Sequence, residues 1–128
     1  MKIISLQDVQ NLNQDICFPC GMISNRFLLK KDNMGFTVTL TEIPKGEERH
    51  WHYINHLEAC YCISGHAILK DLDEYQEYLI KPGVLYALDK HDDHKFLALE
   101  DTVLLCVFNP PLIGNEIHKE DGTYEIKS

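Results

Sequence analysis

Short apolar-rich runs, separated by glycine, proline and acidic turns, set the pattern of this chain. Residues 26–31 read as an apolar-rich strand, and Asp32-Asn33-Met34-Gly35 as the turn that follows it. Residues 36–43 are rich in Phe, Val, Thr and Leu with partial alternation, and Pro44-Lys45-Gly46 breaks that strand. After the polar, aromatic stretch 49–53, residues 57–64 predict a buried strand closed by Gly65. Residues 67–70 and 75–80 predict a hairpin pair around the acidic Asp71-Leu72-Asp73-Glu74. Beyond the Pro82-Gly83 turn, residues 84–88, 94–99 and 102–108 complete the set of strands. Only the region around Leu6 to Leu12 suggests a helix, and a short one. Many short strands with Gly and Pro turns predict an all-β sandwich or small barrel. There is no internal repeat, linker or low-complexity tract; the tail after Pro110-Pro111 is polar and either folds back or stays loose.

A length of 128 residues predicts one domain spanning the whole chain, 1–128. That is long enough to bury a core without disulfide staples. The formal net charge of −8 repels phosphate backbones and anionic headgroups, so no nucleic-acid partner and no membrane partner are expected. The N-terminal residues lack a signal-peptide core and no apolar run is long enough to span a bilayer, which predicts a cytoplasmic protein. Five cysteines, an odd number, read as thiols in a reducing compartment. Cys17 and Cys20 form a lone C-x-x-C around Pro19, half of a zinc site or a redox pair, with no second pair to complete it. Cys60 and Cys62, flanking Tyr61 in an apolar run, read as small core residues.

Chemistry concentrates in Arg49-His50-Trp51-His52-Tyr53-Ile54-Asn55-His56-Leu57-Glu58. On a strand, His50, His52 and Ile54 share one face. Histidine, tyrosine and glutamate beside buried strands suit a metal or an acid–base site, and a solvated loop with a chance run of histidines is the competing reading. The spacing of Gly46, His52, Ile54, Glu58 and Gly65 matches the first cupin motif, with Ile54 in place of its second histidine. Pro82-Gly83-Val84-Leu85-Tyr86 follows the second motif one residue short, with Tyr86 in the histidine position.

With these departures the chain resembles the ectoine synthase family of cupins. The resemblance is carried by Asn55-His56-Leu57-Glu58-Ala59-Cys60-Tyr61-Cys62-Ile63, by Lys81-Pro82-Gly83-Val84-Leu85-Tyr86-Ala87-Leu88-Asp89-Lys90-His91-Asp92-Asp93-His94, and by Val107-Phe108-Asn109-Pro110-Pro111-Leu112 with Gly114, Glu116, His118 and Glu120-Asp121-Gly122. Arg26, Leu28-Leu29-Lys30 and Met34-Gly35-Phe36 extend it, so that it covers the chain from about Ser24 to Tyr124.

The resemblance implies a cupin-type small β-barrel, or jelly roll, with a short N-terminal helix. It implies a lyase that closes N4-acetyl-L-2,4-diaminobutyrate into ectoine, a cyclic amidine, with loss of water. It implies an Fe²⁺ cofactor, other divalent metals being possible, on Glu58, Tyr86 and His94; carboxylate, phenolate and imidazole suit such an ion. Tyr53, His56, Glu116 and His118 fall at positions for proton transfer and orientation. Met22, Arg26, Thr41 and Phe108 fall at substrate-holding positions, and Met22 stands where the family usually has tryptophan. The implied partners are a small-molecule substrate and a second copy of the chain, as a homodimer. Two other readings stay open: a divergent relative acting on a related amide as cyclase or hydrolase, and a non-catalytic cupin that binds a small ligand.

Overall fold

Period-two alternation of small apolar and polar residues dictates where each strand faces, and the burial follows it. The computed structural model describes residues 1–117. The expected helix is there as α1 (Leu6–Asn11), started by a capping box. The Ser5 hydroxyl accepts from the Asp8 amide at 3.1 Å, and the Asp8 carboxylate accepts from the Ser5 amide at 2.9 Å.

Among the described residues ten strands follow: β1 (Asp15–Cys17), β2 (Ile23–Leu28), β3 (Thr37–Ile43), β4 (Glu48–His52), β5 (Leu57–Ser64), β6 (Ala67–Asp71), β7 (Gln76–Ile80), β8 (Leu85–Leu88), β9 (Asp93–Ala98) and β10 (Thr102–Asn109). Most lie within two residues of the runs read from the sequence. The strand expected at 26–31 is shifted back, because Asp32 accepts the Leu29 amide at 2.8 Å and turns Lys30–Asp32 into one 3₁₀ turn. Strand β1 was not foreseen; three residues are too few to alternate, and its pairing with β2 defines it. The Cys17–Cys20 pair sits at the β1–β2 turn, where Phe18 donates to the Met22 carbonyl at 2.8 Å, and both thiols are free.

The strands form two antiparallel sheets, ordered β1-β2-β3-β10-β5-β8 and β4-β9-β6-β7. The all-β class and the helix hold, but the closed barrel does not: among the described residues neither sheet closes on itself, and the two sheets make a sandwich. Among the described residues the chain changes sheets six times, two of them at Pro44-Lys45-Gly46 and Lys81-Pro82-Gly83. The prolines there have no amide to donate, and Gly46 and Gly83 take φ of +87° and +94°, so the ladders break instead of continuing around a corner.

Inward-facing side chains of both sheets make the core, including Phe96, Leu104, Ile43, Ile80 and Cys62, and Leu112 from the segment after β10 joins them. Trp51 on β4 stacks tilted on Phe96 of β9, with centroids 5.8 Å apart. No described helix is long and apolar enough to cross a membrane.

Candidate active site and metal centre

Strand β5 runs between β10 and β8, and its alternation sends Glu58, Cys60 and Cys62 inward. Opposite Cys60 stand Cys106 on β10 and Tyr86 on β8. This cross-strand row forms one wall of a narrow cavity between the sheets. Met22, Ser24, Thr41, Trp51, Tyr53 and Phe108 complete most of its lining. Oxygen of Glu58 and the sulfurs of Cys60 and Cys106 lie within 4.8 Å of one another, a grouping that could hold a metal ion.

Burial sets the electrostatics of this wall. It pushes the Glu58 carboxyl well above the usual carboxylate range, with the nearby Cys106 adding to the effect. It likewise drives Tyr86 and Cys60 well up. Cys106 moves the other way, because the Cys60 thiol and the Thr41 and Thr39 hydroxyls hydrogen-bond its sulfur.

His94 lies across on β9, 1 % exposed, its ring 6.1 Å from Trp51 and 6.2 Å from Tyr53. It lines an adjoining, wider cavity that shares Tyr86 with the first. Its Nδ1 donates to the Asp92 carbonyl at 2.9 Å. That bond fixes the proton on Nδ1 and leaves the Nε2 lone pair available, the tautomer of a ligating histidine. Nε2 is buried without a hydrogen-bond partner. Burial lowers the His94 pKa, which keeps the ring neutral. A buried nitrogen left unmatched costs about 1–3 kcal/mol, and a cation would offset that cost. The donor chemistry of Glu58, Tyr86 and His94 therefore fits a divalent metal.

The remaining candidates divide into two groups. Tyr53, Met22, Thr41 and Phe108 line the cavity, and Phe108 meets the Tyr53 ring edge-on at 5.4 Å. His56, Glu116 and Arg26 lie deeper. His56 is 2 % exposed and edge-on to Phe108 at 6.2 Å. Burial lowers its pKa, and the Glu116 charge partly opposes this. The Glu116 carboxylate accepts the Ile113 and Gly114 amides at 2.7 and 2.8 Å and faces Arg26 Nη1 at 3.7 Å. Arg26 donates through Nε to the Ser24 hydroxyl at 3.2 Å, and through its two terminal nitrogens to the Gly114 and Glu116 carbonyls at 3.1 and 2.7 Å. His118 lies outside the described residues. Of the histidine-rich window, His50 is a surface partner of Asp93, and His91 Nδ1 contacts the Tyr53 and His56 carbonyls, shaping the loop that presents both residues.

Sequence reasoning missed Cys60, Cys106, Ser24 and Trp51 as cavity wall. For Cys60 a signal existed: it lies two residues after Glu58 on the same strand and so shares its face.

A buried carboxylate, phenol and thiols in a cavity between two antiparallel sheets define a cupin with an internal small-molecule pocket. The architecture is similar to that of an RmlC-like cupin from Shewanella frigidimarina, with a TM-score of 0.62 at 15% identity, covering 75% of this chain and 82% of that one. The ectoine synthase family model matches residues 1–128. L-ectoine synthase of Teredinibacter turnerae is 43% identical over 129 residues, covering 100% of this chain and 98% of that protein. The crystal structure of ectoine synthase from P. lautus matches with a TM-score of 0.87 and 38% identity, over 100% of this chain and 92% of that chain. The chain belongs to the ectoine synthase family.

Proposed function

We infer that this chain is an L-ectoine synthase, a lyase that cyclises N4-acetyl-L-2,4-diaminobutyrate to ectoine in the cavity lined by Glu58, Tyr53 and Phe108. The observation that carries the reading is that cavity: family membership comes with an enclosed pocket, and acid–base groups crowd one side of it. In the reaction the substrate amine forms a C–N bond to its own acetamide carbon. The carbonyl oxygen then leaves as water, and a ring C=N bond remains.

Glu58, Tyr86 and His94 would hold a divalent iron, whose part when bound is to polarise the acetamide oxygen. Everything else falls to the chain. The narrow cavity folds the substrate so that amine meets carbonyl, a positioning effect worth up to about 7–11 kcal/mol of barrier. Phe108 and Met22 supply its apolar walls and keep water out, and Thr41 and Ser24 supply hydroxyls. Tyr53 offers its Oη to the reacting amine. His56, neutral because it is buried, takes up the proton, and the Glu116 carboxylate steadies the imidazolium that results. Such acid–base help contributes typically about 10²–10⁴-fold. Arg26 acts as a positioning residue, through the Ser24 hydroxyl in the cavity wall and through the 114–116 backbone.

The described strands share one core, which supports one domain over residues 1–128. The outer face of the larger sheet supports a homodimer. Leu85, Tyr61 and Leu105 form an exposed apolar row across β8, β5 and β10, and the register makes them direct neighbours. Five unpaired thiols fit the reducing cytoplasm.

The test is incubation of the protein with ferrous iron and N4-acetyl-L-2,4-diaminobutyrate, followed by NMR. Ectoine formation upholds the reading. Release of acetate with free diaminobutyrate would identify a hydrolase instead, and binding without turnover would leave a ligand-binding cupin.

A further inference from the structure

The thiol pair in the cavity wall has no part in the chemistry above. Cys60 and Cys106 are directly opposed in the β5–β10 register and point inward, 1 % and 2 % exposed. The third buried thiol is differently placed: Cys62 donates to the Ser64 carbonyl at 3.4 Å. Both Cys60 and Cys106 lie within reach of the Glu58 carboxylate, all three donor atoms being within 4.8 Å of one another.

We propose that Cys60, Cys106 and Glu58 form a site for a thiophilic divalent cation of the zinc, cadmium or cobalt class. The proposed site adjoins the harder Glu58–Tyr86–His94 set and shares Glu58 with it. It rests on the earlier reading only in giving Glu58 to a metal, and it needs neither Tyr86 nor His94. Thiolates select softer ions than carboxylate, phenolate and imidazole do. Zinc bonds thiolate sulfur at about 2.3 Å and carboxylate oxygen at about 2.0–2.2 Å, so donors this close need only small side-chain shifts to meet on one ion. On binding, two S–H bonds and the Glu58 O–H bond give way to two sulfur–metal bonds and one oxygen–metal bond, and three protons leave to solvent; no electron is transferred. The shared carboxylate makes the two ions compete, so zinc-class ions displace iron from the pocket. The pairing depends on residue choice as well as on fold: a valine at position 60 would keep the packing and abolish the site.

The experiment uses metal-free full-length protein carrying Cys17→Ser and Cys20→Ser, which silences the pair at the β1–β2 turn. Cobalt(II) is titrated under reducing, oxygen-free conditions, and the thiolate-to-cobalt charge-transfer band in the near ultraviolet is read. A band saturating at one ion per chain is expected. It should disappear in Cys60→Val and in Cys106→Ser, with cadmium affinity falling at least tenfold, while circular dichroism shows both variants folded. The band should persist in His94→Ala and Tyr86→Phe, even where these lose iron; failure of the iron assignment and failure of this proposal are thereby separable. Absence of the band in the parent, its survival in folded Cys60→Val, or its loss in His94→Ala would each overturn the proposal.

Discussion

Replacing Arg26 by methionine tests the claim that a buried guanidinium ties the segment before residue 117 to the sandwich. Arg26 is 0 % exposed, and its hydrogen bonds reach carbonyls 88 and 90 residues away. Methionine keeps much of the aliphatic stem but removes every donor. The buried Glu116 carbonyl and the part-buried Gly114 carbonyl then lose a partner, at about 1–3 kcal/mol for a fully buried one. The Glu116 carboxylate keeps its two amides but loses its cation, and breaking a buried pair costs about 3–5 kcal/mol. These effects overlap because they act on one group, so the loss should total about 3–5 kcal/mol rather than their sum.

Urea unfolding followed by circular dichroism measures this, alongside Glu116→Gln and the double variant. The double variant should cost less than the two single changes together, with a coupling of at least about 1 kcal/mol, since each single change strands the other's charge or donors. A loss below about 1 kcal/mol for Arg26→Met, or strict additivity, would mean that the clamp is a bystander. The account of how Glu116 is held behind the pocket would then fail.

Glu58→Ala and His94→Ala should each lose bound iron, measured by elemental analysis, together with turnover; iron retained in both would contradict the ligand assignment. Burial raises the Glu58 pKa above its ordinary 4.5, so the native carboxyl keeps its proton where the unfolded one has lost it, and stability drains away as pH rises from 4.5 toward the native value. Glu58→Gln should therefore raise the melting temperature of the metal-free protein at pH 7, with the advantage shrinking toward pH 4.5; an equal gain at both pH values would refute this. Burial lowers the His94 pKa below 6.5, so the unfolded chain protonates first and stability falls as pH drops from 6.5 through the native value; His94→Gln should flatten the melting-temperature profile of metal-free protein over that window. Gly65 has φ +93° and no room, a Cβ there falling 2.4 Å from the Asp101 carbonyl and 2.6 Å from Thr102 Cα, whereas Gly83 has φ +94° and open space. Gly83→Ala should cost only the left-handed strain of about 1–2 kcal/mol, and Gly65→Ala clearly more by the same denaturation assay.

Strand positions were legible because alternation is local: residues 57–64 and 102–108 announce an inner and an outer face on their own. Sandwich and closed barrel share that alternation, and they differ only in whether edge strands bond to each other, which no local pattern encodes. Glu58 and Tyr86 were reachable through motif spacing and His94 through the family resemblance; alone, Glu58 reads as a buried acid, Tyr86 as a core tyrosine and His94 as a surface residue in a charged turn. The Arg26–Glu116 clamp was out of reach in physical terms, since its partners are some 90 residues apart and two of its hydrogen bonds end on backbone carbonyls. The Cys60–Cys106 row was half legible. Strand period put Cys60 on the face of Glu58, but only the β5–β10 register brings Cys106 opposite.

That register also explains why the pocket suits a cation. Packing two sheets face to face removes water from Glu58, Tyr86 and His94 together. Each responds by favouring its uncharged form, the acids by rising and the imidazole by falling. A wall held in this state gains little from an anion or from an apolar ligand, since neither lets the acids ionise. A divalent ion does, because it stabilises carboxylate and phenolate and matches the open Nε2 of His94. The desolvation that makes these side chains costly to bury is thus what makes a metal welcome beside them, and strands β5, β8 and β9 supply it by lining two adjoining cavities that meet at Tyr86.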